Sequence, residues 1–188
     1  MAPGKLIVIS APSGSGKTTI AHEIMKRNPT LEFSVSATTR PKRSGEMEGK
    51  DYFFLTRNQF QNKVAAGEFV EWEEIYGNWY GTLKQEVDKA LQKGLHLLFD
   101  VDVKGGLSIK RQYPAALLIF IRPPSVEVLQ QRLRDRKTED EETTARRMAR
   151  VPMELELGNA FDHKVINDQL RRAIDEVHTI VEHHLHQH

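Results

Sequence analysis

Short apolar runs alternate with amphipathic segments along most of this chain. The runs have the length and the composition of buried strands, and they cover residues 5–9, 33–36, 95–99, 115–121 and 164–166. Apolar residues at helical spacing follow them, after residue 17, from about 83 to 93, from 125 onward and from about 168. Strands that alternate with helices predict an α/β fold in which a mainly parallel sheet lies between helices.

The stretch from about 35 to 82 has a different pattern. A polar segment rich in Gly, Arg and Lys comes first, and an apolar strand at 52–55 follows it. Thr56 is placed to cap a helix that Gly67 ends, and residues 69–80 have the pattern of a hairpin. This pattern predicts a small, mostly β lobe inserted into the α/β core.

Composition and charge exclude several classes of protein. With 188 residues the chain is long enough for a single domain with one sizeable core and small inserted lobes. Its 27 Lys and Arg residues nearly balance 26 Asp and Glu residues, so neither nucleic acid nor a membrane is expected as a partner. The absence of cysteine excludes disulfides and thiolate metal sites. The first strand begins without an apolar leader, and no run is long enough to cross a bilayer, which predicts a cytoplasmic protein.

The segment after the first strand has the sequence of a loop that binds nucleotide phosphates. Residues 10–19, the phosphate loop, read S-A-P-S-G-S-G-K-T-T and match G-x-x-x-x-G-K-[ST] except for Ala11 at the first glycine. The inner glycines let backbone N–H groups turn toward an anion, and the helix that follows adds its positive end. Lys17 is placed to reach the terminal phosphates and the Thr18 hydroxyl to ligate magnesium. A Gly/Ser turn with an unrelated lysine is the other interpretation, and the flanking strand and helix disfavour it.

Three later clusters carry the side chains expected for a second substrate. Residues 34–46 and 49–52 read S-V-S-A-T-T-R-P-K-R-S-G-E and G-K-D-Y, residues 69–72 and 77–82 read F-V-E-W and G-N-W-Y-G-T, and residues 100–102 read D-V-D. Paired arginines grip a dianionic phosphate by bidentate hydrogen bonds. A carboxylate accepts from both the N1–H and the exocyclic amine of guanine, whereas adenine presents an unprotonated N1.

These motifs resemble those of the guanylate kinase family in order and spacing, and the resemblance covers essentially the whole chain. It implies a P-loop nucleoside-monophosphate kinase fold with a GMP-binding lobe at about 35–82, an arginine-rich lid at about 127–159 and a core formed by about 1–34, 83–126 and 160–188. It also implies direct in-line transfer of a phosphoryl group from ATP, with Mg²⁺, to GMP and more weakly to dGMP.

The resemblance implies a set of site residues as well. Those expected to bind GMP are Ser36, Arg40, Arg43, Tyr52, Glu71, Tyr80, Thr82, Asp100 and Asp102. Those expected to bind ATP are Ala11, Pro12, Ser13, Gly14, Ser15, Gly16, Lys17, Thr18, Thr19, Arg132, Arg136 and Asn167. Catalysis falls to Lys17, Arg136 and Arg147, and Mg²⁺ binding to Thr18 and, through water, to Asp100. Glu71 would accept hydrogen bonds from guanine, and the hydroxyls of Ser36 and Thr82 would lie near guanine O6.

Other interpretations of the same residues stay open. Asp100 and Asp102 also have the position of helix caps after a strand. The lid arginines, taken alone, are typical of solvated helix charges. Guanylate-kinase-like domains of membrane-associated scaffolds keep the fold, bind peptides and have lost catalysis, although they typically lack an intact phosphate loop and lid. Another P-loop small-molecule kinase would not need Ser36, Glu71 and the paired arginines together.

Two positions depart from the family pattern, and the C-terminal segment stands outside it. Lys104 replaces the usual glutamine and His163 the usual tyrosine, so no role is expected for either. The histidines between 183 and 188 have the donors for a transition metal but fit a frayed helix end better. Nothing in the sequence indicates the oligomeric state.

Overall fold

Two sheets organise the molecule in the computed structural model, which describes residues 4–75, 77–135 and 141–187. The strands are β1 (Leu6–Ser10), β2 (Leu31–Phe33), β3 (Ala37–Thr38), β4 (Phe53–Phe54), β5 (Phe69–Ile75), β6 (Asn78–Leu83), β7 (His96–Asp100), β8 (Leu117–Arg122) and β9 (His163–Ile166). Five of them form the central sheet in the order β2-β7-β1-β8-β9, and every pairing in it is parallel. The predicted parallel sheet is therefore confirmed.

Helices cover both faces of the central sheet. They are α1 (Lys17–Arg27), α2 (Arg57–Ala65), α3 (Lys84–Gln92), α4 (Val103–Gln112), α5 (Val126–Asp135), α6 (Glu141–Gly158) and α7 (Leu170–His186). Alternate residues of β1 point to opposite faces, so Ile7 and Ile9 pack with α1 and α7 while Val8 packs with α3 and α4. The result is the three-layer α/β architecture that the alternating pattern predicts.

The smaller sheet has the order β4-β3-β6-β5 and carries its own core. Its antiparallel hairpin, β5 with β6, lies where the sequence predicts one. Thr56 caps α2 as predicted, in a capping box with Gln59. Phe60 of α2 is fully buried and stacks on Phe69 with ring centroids 4.3 Å apart.

Two predicted positions are wrong. β2 lies at 31–33 instead of 33–36, because buried Leu31 begins the pairing with β7. Residues 37–38, expected in a polar loop, form β3 because they pair with β6. The helix predicted from residue 125 is confirmed by α5, which begins at Val126, and the residues between α5 and α6 lie outside the described ranges.

Helix α4 is not predicted by the sequence pattern. Its adjacent glycines, Gly105 and Gly106, lower helix propensity and hide it. Gly106 is nevertheless required, since a Cβ there would come within 2.8 Å of the Phe161 ring. Helix α4 also contacts β5, because the side chain of Gln112 near its C-terminal end donates to the Val70 carbonyl at 2.6 Å.

Candidate active site

The phosphate loop has the backbone of an anion-binding loop. Gly14 and Gly16 adopt φ angles of 88° and 89°, in the left-handed region that glycine occupies without strain. Gly16 is also the N-cap of α1, which has no side-chain cap and no acidic residue in its first turn. The first N–H groups of α1 therefore face the loop without a capping side chain, and the helix dipole favours an anion there.

Lys17, Thr18 and Asp100 meet where the phosphate loop faces the end of β7. Lys17 Nζ lies 2.6 Å from Asp100 Oδ1 and donates to the Val101 carbonyl at 3.1 Å. Thr18 Oγ1 donates to Asp100 Oδ2 at 3.2 Å. Parallel strands end at the same edge of their sheet, which is why β7 brings its carboxylate to the loop that follows β1. Asp100 thus faces the loop and caps no helix.

Asp102 caps a helix, which is one of the functions that the sequence left open. It is the N-cap of α4, and its Oδ1 accepts a hydrogen bond from the Gly105 N–H at 2.8 Å. The capping interpretation is therefore confirmed for this residue. Its other oxygen, Oδ2, accepts from Arg150 at 3.2 Å, and the residue lines the cavity described below.

Glu71, on β5, faces the N-terminus of α4. Thr82 Oγ1, on β6, donates to Glu71 Oε1 at 2.6 Å, while Oε2 lies where a Cβ on Gly105 would come within 3.3 Å. Burial, together with the nearby charges of Asp102 and Glu73, raises the pKa of Glu71 to about 7. The resemblance places the Thr82 hydroxyl near guanine O6, and in this structure its proton is donated to Glu71.

The paired arginines are held in different ways. Arg40 donates to both carboxylate oxygens of Glu46, at 2.7 and 3.1 Å, and its guanidinium lies 5.2 Å from the centroid of the Tyr52 ring. Tyr80 meets Tyr52 edge-on with centroids 6.1 Å apart, so one arginine and two tyrosines form a cluster. Arg43 is exposed, and its backbone N–H is what reaches Glu46.

Lid arginines contact the phosphate loop and its surroundings. Arg147 Nη1, on α6, donates to Ser13 Oγ at 2.7 Å. Arg132 Nη2, on α5, donates to the Asn167 backbone carbonyl at 3.0 Å. These contacts connect both lid helices to the nucleotide end of the core. Arg136 lies outside the described residues, so its role stays a prediction.

Asn167 lies beneath the phosphate loop. It is buried, with 4% of its surface exposed, and its side-chain amide donates to the Ser15 carbonyl at 2.8 Å. A Cβ on Gly16 would come within 2.5 Å of that amide nitrogen, so a side chain at this position would displace the support. The resemblance places Asn167 near adenine, which stays a prediction; in this structure its side chain contacts the phosphate loop and does not line the cavity described below.

A cavity of about 810 Å³ connects the phosphate loop with the smaller sheet. Its lining brings together the predicted residues Ala11, Pro12, Ser13, Gly14, Gly16, Lys17, Thr18, Thr19, Ser36, Tyr52, Glu71, Tyr80, Asp100, Asp102 and Arg147. The predicted residues Ser15, Arg40, Arg43, Thr82, Arg132 and Asn167 lie outside that lining. One space therefore has a phosphate-binding end and a carboxylate-rich end.

Comparison with known proteins decides the family. The model of the guanylate kinase family matches residues 3–184. A guanylate kinase of Myxococcus xanthus is 48% identical over 180 residues, 95% of this chain and 86% of that protein, and one of Chlorobaculum tepidum is 50% identical over 177 residues, 94% and 91%. The chain belongs to the guanylate kinase family. The crystal structure of guanylate kinase from Anaplasma phagocytophilum matches it with a TM-score of 0.73 at 28% identity, over 100% of this chain and 89% of that one, which confirms the P-loop nucleoside-monophosphate kinase fold.

This guanylate kinase family member also places charged residues in the cavity that its motifs do not indicate. Glu73, Arg150 and Glu154 line the space together with the predicted residues. The spacing of Arg150, three residues after Arg147 on one helix, is the signal in the sequence that could have found it. Lys104 and His163, where the chain departs from the family pattern, are both exposed and outside the cavity.

Two features are absent from the described ranges of this guanylate kinase family member. Among residues 4–75, 77–135 and 141–187, no helix combines the length and the apolarity needed to cross a membrane. Among the same residues, no group of three or more His, Asp or Glu side chains is arranged to hold a metal ion.

Proposed function

We propose that this chain is a working guanylate kinase, which transfers the γ-phosphoryl group of ATP to GMP, and more weakly to dGMP, to give ADP and GDP. The observation that carries the proposal is the shared cavity, which the phosphate loop lines at one end and Glu71 and Asp102 line at the other. In-line transfer needs two aligned nucleotides in a space that excludes water, and it needs no covalent enzyme intermediate.

Recognition of guanine falls to the carboxylates at the far end of the cavity. Glu71 accepts from the N1–H and the exocyclic amine, and Asp102 offers Oδ2 to the same amine. Thr82 fixes the Glu71 carboxylate by its 2.6 Å hydrogen bond. Adenine would leave these buried acceptors unpaired, and an unpaired buried polar group is costly.

Lys17, Thr18 and Asp100 act at the phosphate end. A hydroxyl and a carboxylate are oxygen donors of the kind that Mg²⁺ prefers, and Thr18 Oγ1 lies 3.2 Å from Asp100 Oδ2, so these residues fit the metal. When bound, Mg²⁺ neutralises charge on the transferring phosphates. Lys17 adds a fixed positive charge, and Arg147 supplies another from the lid.

A coupled assay for ADP tests the proposal. With ATP and Mg²⁺ present, ADP production is expected to depend strongly on GMP and to cease when EDTA removes the metal. Equal turnover with AMP or UMP would contradict the assignment of GMP. A protein that bound GMP but not Mg-ATP would instead be a catalytically inactive guanylate-kinase-like domain.

GMP affinity is expected to fall as the pH drops below about 7. The pKa of Glu71 is raised to about 7, so the carboxyl becomes protonated below that pH and loses acceptor capacity toward guanine. Affinity should decrease by about tenfold for each further pH unit. Calorimetry at several pH values measures the effect.

The control for this pH dependence is Glu71→Gln, which cannot titrate. Its remaining pH dependence reports protonation of the GMP phosphate, whose second pKa is about 6, and of the other carboxyls of the cavity, such as Glu73, whose pKa is raised by burial. Identical pH profiles for the wild-type protein and the variant would contradict the role given to Glu71.

Arg43→Ala is expected to raise the KM for GMP by about tenfold with a smaller change in kcat. Arg43 is exposed, and we expect it to approach the GMP phosphate, whereas Arg40 is already paired with the carboxylate of Glu46. Steady-state kinetics with varied GMP measures the change. Lys42→Ala, the neighbouring exposed cation, is the matched control, and an equal effect in both variants would indicate a general loss of charge.

A further inference from the structure

Arg150 lies where three parts of the molecule meet. It projects from α6, and its Nη2 donates to Glu73 Oε1 on β5 at 3.0 Å and to Asp102 Oδ2 at the start of α4 at 3.2 Å. Its Nε lies 3.5 Å from Glu154 Oε1, one turn further along α6. We call the contacts of Arg150 with Glu73 and Asp102 the Arg150 bridge.

Carboxylates are concentrated around this guanidinium. Glu71, Glu73, Asp102 and Glu154 line the cavity together with Arg150, and the Glu154 side chain exposes 9% of its surface. Negative charges this close repel one another, and their removal from water adds to the cost. A planar guanidinium with several donors is suited to contact more than one of them at once, as Arg150 does with Glu73 and Asp102.

The bridge also bears on how the base-recognising carboxylates are oriented. Asp102 Oδ1 is fixed by the Gly105 N–H at 2.8 Å, so the environment of Oδ2 depends on Arg150 and hence on the position of the lid helix. Glu73 and Glu71 are two residues apart on β5 and share one face of that strand. A contact that holds Glu73 therefore also holds the strand segment that carries Glu71.

We propose that Arg150 is a positioning residue that draws the lid helix, the smaller sheet and the core together and holds Asp102 and β5 in place for the guanine base. The inference deepens the proposed function and rests on it, because the base in question belongs to GMP. Without the guanidinium, Glu73 and Asp102 lose their shared counter-charge and α6 loses its contact with β5. GMP binding is weakened more than ATP binding as a result.

Matched variants test the bridge. Arg150→Met keeps an unbranched helix-forming side chain without the charge, and Glu73→Gln keeps the shape of the partner. Each is expected to raise the KM for GMP by about tenfold, and the double variant is expected to be no worse than the more affected single one, because both remove the same contact. Arg150→Lys should recover part of the loss, since the charge returns without the planar fork. Arg172→Met, on α7, removes an exposed arginine that pairs with Asp168 and should behave as wild type.

Small-angle X-ray scattering of the nucleotide-free proteins gives a second readout that does not depend on activity. Measured well below the melting temperature of each protein, Arg150→Met and Glu73→Gln should each have a larger radius of gyration than the wild type. The proposal would be overturned if both single variants kept a KM for GMP within about twofold of wild type. It would also be overturned if the effects of the two substitutions on KM were additive in the double variant and the radius of gyration did not change. A wild-type protein without GMP-dependent activity would overturn the proposed function, while the scattering comparison would still decide on the bridge.

Discussion

Replacement of Lys17 by alanine is expected to lower kcat by about 10²–10³-fold while GMP binding is largely kept. Lys17 begins α1, and its Nζ lies 2.6 Å from Asp100 Oδ1, at the junction of the phosphate loop and β7. The position is suited to a group that neutralises charge on the transferring phosphates, because charge stabilisation is the main demand of this reaction. The guanine-recognising residues lie at the other end of the cavity, so their contacts with GMP do not depend on this charge.

Steady-state assays of Lys17→Ala measure the loss of kcat, and calorimetric titration with GMP measures whether GMP binding is kept. Lys26→Ala is the matched control, since Lys26 is an exposed lysine of the same helix that pairs with Glu23. A variant that kept near-wild-type kcat, or that lost GMP binding in proportion to activity, would remove Lys17 from the role proposed for it. Thermal unfolding of Asp100→Asn measures how much the ion pair between Lys17 and Asp100 contributes to stability.

Glu71→Gln is expected to raise the KM for GMP by about 10²-fold and to relax the discrimination against other nucleoside monophosphates. The amide presents one acceptor and one donor where guanine presents two donors, so one hydrogen bond is replaced by a donor facing a donor. The variant keeps the shape of the side chain. Activity with GMP, AMP and UMP, compared as kcat/KM, measures the loss of selectivity.

The same substitution is expected to stabilise the nucleotide-free protein at pH values above about 7. The pKa of Glu71 is about 7 in the folded chain and 4.5 in its ordinary state, so ionisation favours the unfolded chain as the pH rises between these values. The difference corresponds to at most about 3 kcal/mol of unfolding free energy. Thermal melts should therefore separate the variant from wild type much more at pH 8 than at pH 4, where the carboxyl is mostly protonated in both the folded and the unfolded chain.

Glu68→Gln is the control for both results, since Glu68 lies just before β5 and pairs with Lys63 at the surface. Unchanged base selectivity in Glu71→Gln would remove Glu71 from guanine recognition. A variant that lost selectivity without gaining stability at pH 8 would instead leave the recognition role intact and contradict the raised pKa.

Local sequence predicts the phosphate loop and the individual strands of the central sheet well, because each leaves its pattern in one short stretch of the chain. Gly14, Gly16 and Lys17 lie within one loop, and the buried strands are continuous apolar runs. Helix α4 could not be predicted in the same way, because Gly105 and Gly106 oppose it locally and tertiary packing requires them. The one local signal for its start was Asp102, which the sequence allowed as a cap.

Contacts between distant segments account for what sequence reasoning missed in the site. Arg40 has its charge partner six residues away, but Arg150 reaches Glu73 over 77 residues and Asp102 over 48. The donation from Thr82 to Glu71 depends on the register of the hairpin, in which the two residues are paired. Such pairings are fixed by the packing of the two sheets and the lid, and no spacing along the chain encodes them.

The amide of Asn167 that supports the phosphate loop comes from the opposite end of the chain. During synthesis the loop emerges first, and its partner follows 152 residues later. A nascent chain that has completed α1 therefore has the glycines of an ATP site without the strand end that holds them in shape. Because Asn167 directly follows β9, the phosphate loop gains this support once β9 has joined the central sheet, and we expect full ATP affinity to depend on that step.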